Sequence, residues 1–138
     1  MIDTNVSIET INALCKGNMC EHLAIEITDV SEKSLSGKMP VDHRTKQPMG
    51  LLHGGASVAL AETLGSIASS LCINNKNQYP VGLEINANHL RAVKQGFVYA
   101  KAEAIHIGRK THVWEIRITD EQQKLICISR LTVAVIDK

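Results

Sequence analysis

One acidic side chain stands in a stretch that is otherwise uncharged. From Met49 to Ile73 the residues are mostly small or apolar, and Glu62 is the only Asp, Glu, Lys or Arg among them. A carboxylate in such surroundings is costly unless it is paired, hydrogen-bonded, protonated or used in chemistry. Glu62 therefore reads as the acid of a site, as a structural carboxylate met by backbone or a cation, or as a residue on a wetted helix edge. His53-Gly54-Gly55 precedes it. If this triplet opens a helix, the first amide N–H groups lack partners and carry a partial positive charge. Glycines let a ligand reach those donors without a Cβ in the way. That arrangement suits a carbonyl oxygen that becomes negative during reaction. Taken alone, two glycines also make an ordinary tight turn.

Spacing adds a constraint. Glu62 lies eight residues beyond Gly54, or about 12 Å along a helix axis. Within one chain the acid cannot attack a carbonyl held at the helix start. Two such helices side by side and antiparallel would bring Glu62 of one copy to Gly54 of the other, and a two-fold axis would create two equal sites. If these residues work together, the sequence asks for a dimer.

The surrounding elements must position this helix. Ser7 is a suitable N-cap, with Glu9 in the first turn of a short helix that places Ile8, Ile11, Leu14 and Cys15 on one side and ends at Gly17-Asn18. His22 to Asp29 alternates at Leu23, Ile25 and Ile27 and predicts a strand. Ser34 to Val41 alternates at Leu35, Gly37, Met39 and Val41, which predicts a hairpin across Val30 to Lys33. A polar loop, Asp42 to Pro48, leads to the long helix, whose apolar residues fall on all sides as in a buried helix. Asn74-Asn75-Lys76-Asn77 is the predicted stop. Strands follow over Val81–Val93, with Val81, Leu83, Ile85 and Ala87 on one face, then Phe97–Ile107, Thr111–Thr119 and Leu125–Ile136. The last is apolar on both faces, as near a sheet centre. Turns stand at Gly96, Gly108-Arg109-Lys110 and Asp120–Gln123. This order gives an α+β domain over residues 1–138, a mostly antiparallel curved sheet wrapped around one long central helix.

Composition excludes several function classes. A chain of 138 residues suits one core. A formal net charge of +1 leaves no broad electrostatic footprint for nucleic acid or an anionic membrane. Aromatic residues, at 3%, are too few for a base-stacking platform. Glu62, Thr63 and four serines interrupt the central segment too often for a membrane span. Cys15, Cys20, Cys72 and Cys127 form no C-x-x-C pair, and the N-terminal residues lack the basic and apolar regions of a signal peptide. A cytoplasmic setting with reduced thiols is expected. His22, His43, His106 and His112 show no metal-ligand spacing, so no metal is expected.

Three runs carry a resemblance. They are Pro40-Val41-Asp42-His43-Arg44-Thr45-Lys46-Gln47-Pro48, then Leu52-His53-Gly54-Gly55, then Ala61-Glu62-Thr63-Leu64-Gly65-Ser66. Together they closely resemble hotdog-fold acyl-CoA thioesterases of the 4-hydroxybenzoyl-CoA thioesterase clade with its acid on the central helix. Within that clade the chain is similar to the 1,4-dihydroxy-2-naphthoyl-CoA (menaquinone-pathway) and enterobactin-proofreading thioesterases. Val81 to Arg91 matches the strand that follows the helix in those proteins.

The resemblance implies a hotdog fold and hydrolysis of aromatic or medium-chain acyl-CoA. Glu62 would be nucleophile or general base, and the partner's Gly54 N–H would polarise the carbonyl. Gln47 and His53 would orient thioester and water, and Ser66 would assist the acid. Gly82, His89, Leu90 and Arg91 would contact pantetheine or the acyl group. His106, Gly108, Arg109, Lys110 and Thr111 would meet the nucleotide end, with the two cations facing phosphates. No separate cofactor is implied, since coenzyme A belongs to the substrate. A homodimer would be required for the site, with a tetramer as dimer of dimers usual in the family; neither nucleic acid nor membrane is an expected partner. A hotdog dehydratase or hydratase acting on acyl thioesters, and a non-catalytic acyl-CoA-binding module, are the alternatives.

Overall fold

Six strands with one apolar face need a cover, and a single helix supplies it. The structure, a computed structural model, describes residues 1–73 and 76–138. The Asn74-Asn75 part of the predicted stop lies outside them. In chain order the elements are α1 (Ile8–Ala13), α2 (Met19–His22), β1 (Glu26–Val30), β2 (Ser34–Pro40), α3 (Gly54–Ser70), β3 (Gln78–His89), β4 (Phe97–Ile107), β5 (Thr111–Thr119) and β6 (Leu125–Asp137). All strands join one antiparallel sheet in the order β1-β2-β4-β5-β6-β3. The helix-wrapped antiparallel architecture expected from the sequence is present.

The contact between α3 and the sheet makes the core. Ala56, Ser57, Leu60, Ala61, Leu64, Gly65, Ala68 and Ser69 form the buried face of α3. They meet Leu35, Met39, Val98, Ala102, Trp114, Ile116, Ile118 and Leu131, all buried in the same cluster. Small residues on the helix bring the backbones close. A Cβ at Gly65 would stand 2.5 Å from Leu131 Cδ2, and Leu131 is itself sealed in the core. The one indole needs a polar partner when buried, and Trp114 Nε1 donates to Ser69 Oγ at 2.8 Å.

Four expectations are corrected by physical details. The upper face of α3 is half-buried, so the helix is covered on one side only; Val58, Ala59, Glu62, Thr63, Ser66, Ile67 and Ser70 lie on that open side. On α1, Ile11 and Cys15 are buried, but Leu14 is 57% exposed, because the helix ends at Ala13. The strand predicted from His22 begins only at Glu26. Asn18 caps a short helix by accepting from the Cys20 N–H, and Ala24 then turns the chain at φ 53°. Leu83 should share a face with Val81 and Ile85, yet it is 63% exposed. A register shift between Gly82 and Glu84 takes it out of the alternation.

Two measurements check this core. Trp114→Phe removes indole volume and strands the Ser69 hydroxyl, so it should cost about 1–3 kcal/mol, read as a lower urea midpoint by circular dichroism with an unchanged slope. His112 is buried, and desolvation holds its imidazole below the usual range, against the effect of a hydrogen bond to the Gly108 backbone. Above about pH 6.5 folded and unfolded forms are both neutral at this position and it adds no pH dependence. Below that, the unfolded chain takes up a proton that the fold resists, so stability falls as pH drops. His112→Leu should flatten the melting-temperature profile between about pH 6.5 and 5 relative to the unaltered chain.

Candidate active site

The loop ahead of α3 is built to hold Gln47 and His53 in place. Asp42 accepts from the Arg44 N–H and its guanidinium, at 2.6 Å for Nη2 to Oδ2, and this contact holds the Asp42 carboxyl at about 2. The buried Thr45 hydroxyl donates to the Pro40 carbonyl at 2.7 Å. The His53 N–H donates to the Thr45 carbonyl, and the Gln47 N–H to that of Leu51. Gln47 Oε1 accepts from the Met49 N–H at 2.5 Å. This leaves the Gln47 amide nitrogen as the donor it can offer to a ligand.

His53 is the N-cap of α3, and its Nδ1 accepts from the Gly55 N–H at 2.7 Å. With Nδ1 accepting, the ring proton sits on Nε2, which becomes a second donor at this helix start. Ala56 and Ser57 N–H groups return to the His53 carbonyl. Among the described residues the Gly54 N–H has no acceptor, as expected for the first turn of a helix. A Cβ at Gly54 would stand 2.8 Å from His89 Nε2 and within 3.2 Å of two further ring atoms. Glycine here keeps the imidazole of β3 and the free amide side by side.

A cleft of about 350 Å³ opens at this point. Gln47, Gly54, His89, Leu90 and Arg91 line it, with Leu51, Leu52 and Ile126 as apolar wall. The structure thus brings together the sequence-predicted residues Gln47, Gly54, His89, Leu90 and Arg91, with His53 adjoining.

Glu62 is elsewhere on the same chain, two turns along α3. Its Oε1 lies 2.7 Å from the place a Cβ would occupy on Gly82. Glycine at that point of β3 leaves the carboxylate room to lie against the strand. Among the described residues, Glu62 has no hydrogen-bond or ion-pair partner. Of the readings open from the sequence, that of a structurally paired carboxylate is therefore not what the described residues show. Ser66 sits one turn further on the same half-buried face. Glu62 also borders a second cleft, of about 330 Å³, between α3 and α2. The sequence reading missed this α2 wall. Its only signal was Asn18, a capping residue immediately after Gly17, in a pair that reads by itself as a mere stop.

The His106–Thr111 turn does not join either cleft within one chain. It closes the β4–β5 hairpin through the Gly108 N–H and Thr111 carbonyl. Lys110 Nζ pairs with Asp137 at 2.6 Å, and Asp137 also accepts from Gln78. Gln78 and His89 are opposite ends of β3, about 36 Å apart along an extended strand. Among the described residues no group of three or more His, Cys, Asp or Glu is placed to hold a metal ion, and no helix is long and apolar enough to cross a membrane.

Comparison with known proteins places this geometry in a family. The family model described as the thioesterase superfamily matches residues 49–127, the span from the loop before α3 into β6. The chain is 48% identical over 131 residues to 1,4-dihydroxy-2-naphthoyl-CoA hydrolase of Escherichia coli (strain K12), covering 95% of this chain and 96% of that protein. It superposes on the crystal structure of a Pseudomonas aeruginosa thioesterase bearing a glutamine-to-alanine substitution with a TM-score of 0.97, 50% identity and 99% of each chain covered. A Staphylococcus aureus thioesterase, solved with a glutamine replaced by alanine, matches with a TM-score of 0.83 and 43% identity over 85% of this chain and 97% of that one. The same protein solved with a glutamate replaced, fifteen positions further along, matches with a TM-score of 0.86 and 42% identity over 88% and 100%. The helix-wrapped antiparallel sheet is the hotdog fold of these relatives, and the chain belongs to the thioesterase superfamily.

Proposed function

We propose that this protein hydrolyses aromatic or medium-chain acyl-CoA to the free acid and coenzyme A, at sites shared between two copies. One observation carries the reading: an unpartnered carboxylate at Glu62 and an unpartnered amide at Gly54 lie on one helix, about 12 Å apart, beside a strand whose outer edge is free. The spacing of Gln47 and Glu62 equals that of the glutamine and glutamate replaced in the Staphylococcus aureus relative.

The assembly follows from β3. Among the described residues it pairs in the sheet only with β6. Its other edge offers a row of backbone donors and acceptors. Pro80 is tolerated there because an edge strand can forgo a ladder hydrogen bond. Antiparallel pairing of two β3 strands about an axis near Ile85 would carry Glu62, which rests on Gly82, toward the partner's His89, which rests on Gly54. The α3 helices would then lie side by side, each acid facing the other's amide. The same operation would move the Arg109-Lys110 turn of one copy toward the Arg91 end of its partner, where nucleotide phosphates could be met by both.

In this arrangement the thioester oxygen accepts from the Gly54 N–H, and the positive end of α3 stabilises the charge that grows on it. Gln47 and His53 donate to the thioester and to water. As general base, Glu62 takes a proton from water while the oxygen bonds to the carbonyl carbon. The C–S bond then breaks, and the thiolate recovers that proton. As nucleophile, Glu62 bonds to the carbonyl carbon itself, coenzyme A leaves, and water opens the resulting anhydride. A single turnover in ¹⁸O-water separates these routes, since only the second leaves label in Glu62.

Glu62→Gln should lower kcat for benzoyl-CoA by at least about 10³-fold, with melting temperature and dimer mass unchanged; full activity would remove the acid from the chemistry. Gly54→Pro removes the amide donor; the backbone there admits proline, because His53 is extended with ψ 130° and Gly54 is the first helical residue, while its ring also pushes the His89 imidazole of the same chain aside. Each variant alone should be inactive. Mixed and re-equilibrated, they should recover roughly a quarter of full activity, since half the dimers are mixed and each holds one intact site. No recovery would place both groups in one chain's site.

A further inference from the structure

Two of the four free cysteines meet at the turn between α1 and α2. The Cys15 N–H donates to the Asn12 carbonyl at 3.0 Å, which closes the end of α1. Cys20 lies in α2. Gly17, at φ 75°, reverses the chain between them, and its N–H donates to the Glu21 carboxylate at 2.6 Å. The Asn18 side chain clamps this turn from both ends. Its Nδ2 donates to the Leu14 carbonyl at 2.7 Å, and its Oδ1 accepts from the Cys20 N–H at 3.0 Å. One amide thus holds the residue before Cys15 against Cys20, and the two thiol side chains come into hydrogen-bonding contact. We propose that Cys15 and Cys20 form a reversible oxidation site, closed to a disulfide by hydroperoxides and reopened by thiols. It is independent of the reaction assigned to Glu62.

Access separates the two sulfurs. Cys15 is 5% exposed. Burial, then the charge of neighbouring Cys20 and the hydrogen bond between them, push the Cys15 thiol up to about 11. Near neutral pH it keeps its proton and is a poor attacking group, since the thiolate is the nucleophile. Cys20 is half-buried and lines the cleft between α2 and α3, through which an oxidant can reach it. An accessible thiol backed by a second one is the arrangement of an attacking and a resolving cysteine. Cys72 and Cys127 differ. Burial pushes the Cys72 thiol up against the pull of the N-terminal ammonium, and burial by itself does so at Cys127; a neighbouring thiol enters at neither.

The chemistry balances with one peroxide. The Cys20 thiol loses its proton to water, and its thiolate attacks one peroxide oxygen. The S–O bond forms as the O–O bond breaks, and the departing hydroxide takes up that proton as water. The sulfur of Cys15 then attacks that of Cys20. The S–S bond forms, the S–O bond breaks, and the leaving hydroxide carries off the Cys15 proton as a second water. Exchange with two small thiols reverses the change: they leave joined as their own disulfide, and both cysteines regain protons.

The bond acts as a staple. With four residues, α2 is too short to hold its own turn. By contrast α1 is tied to β1, because Asn12 accepts from the Ile27 N–H at 2.7 Å and donates to its carbonyl at 2.9 Å. Joining Cys15 to Cys20 extends that tie to α2. It also draws the Cys20 sulfur away from the Thr63 hydroxyl, now 3.7 Å from it.

Lys16 lies between the two cysteines, so trypsin separates them and the bond appears as peptide 1–16 joined to peptide 17–33. The folded protein is exposed to hydrogen peroxide, stopped with catalase, denatured in iodoacetamide, digested and weighed. The joined peptides should form at least tenfold faster in the folded protein than in urea, and Cys20 should lose its label at least tenfold faster than Cys72 or Cys127. Dithiothreitol should return all four cysteines to labelling. Cys15→Ala should leave Cys20 as a sulfenic acid that dimedone captures. The oxidised form should melt roughly 3–8 °C above the reduced one, a gain that Cys20→Ala abolishes. Cys20 carried on to sulfinic acid without joined peptides, equal rates at all four cysteines, joined peptides forming no faster in the folded protein than in urea, or a disulfide from Cys20 to Cys72 or Cys127 would each overturn the proposal.

Discussion

The close seating of α3 on the sheet is the constraint on which the rest of the molecule depends. Small residues on the lower face of the helix, with Gly65 against Leu131, let it approach until Trp114 can reach Ser69. That contact fixes both the height and the rotation of the helix. Its rotation decides that Glu62 emerges on the half-buried upper side, at the border with β3, instead of in the core. Its height decides that Gly82 and Gly54 must lack side chains, since Glu62 and the His89 ring occupy the space a Cβ would need. A carboxylate without a partner and an amide without an acceptor are each a cost to the isolated fold. Both are held on the same helix, away from the face that it buries against the sheet.

A helix is directional, so its free amides lie at one end, and an acid two turns later cannot fold back to them. Among the described residues the other helices of the chain are only six and four residues long. The long free edge of β3 supplies the means for another copy to do so. In the proposed dimer, catalytic competence and association would be two readings of one strand.

Much of the candidate site was legible in the sequence because it is written in residue types that backbone physics restricts. A lone acid in a run of small residues, and a His-Gly-Gly triplet before it, located Glu62, His53 and Gly54 without a fold. Alternation located the strands and the buried set of Trp114, Ile116 and Ile118. What was not legible depended on single-residue departures from a period. The shift at Gly82 to Glu84 turned Leu83 outward, and nothing in a count of alternating residues signals it. The α2 helix is only four residues long, and Leu23, Ile25 and Ile27 alternate straight through its end, so strand periodicity masked it. The turn at Ala24 is equally hidden, because alanine gives no hint of a positive φ. The pairing of Lys110 with Asp137 lies beyond any local pattern, since it joins a hairpin turn to the far end of β6.

The burial of Trp114 has a practical consequence for anyone observing this protein in solution. It is the only tryptophan in the chain, and it is sealed from solvent with its indole nitrogen bonded to Ser69. Its emission should be blue, resistant to water-borne quenchers and indifferent to occupancy of either cleft. The spectrum is thus a built-in reporter of whether helix and sheet are still together, and a silent one for everything that happens at the surface above them.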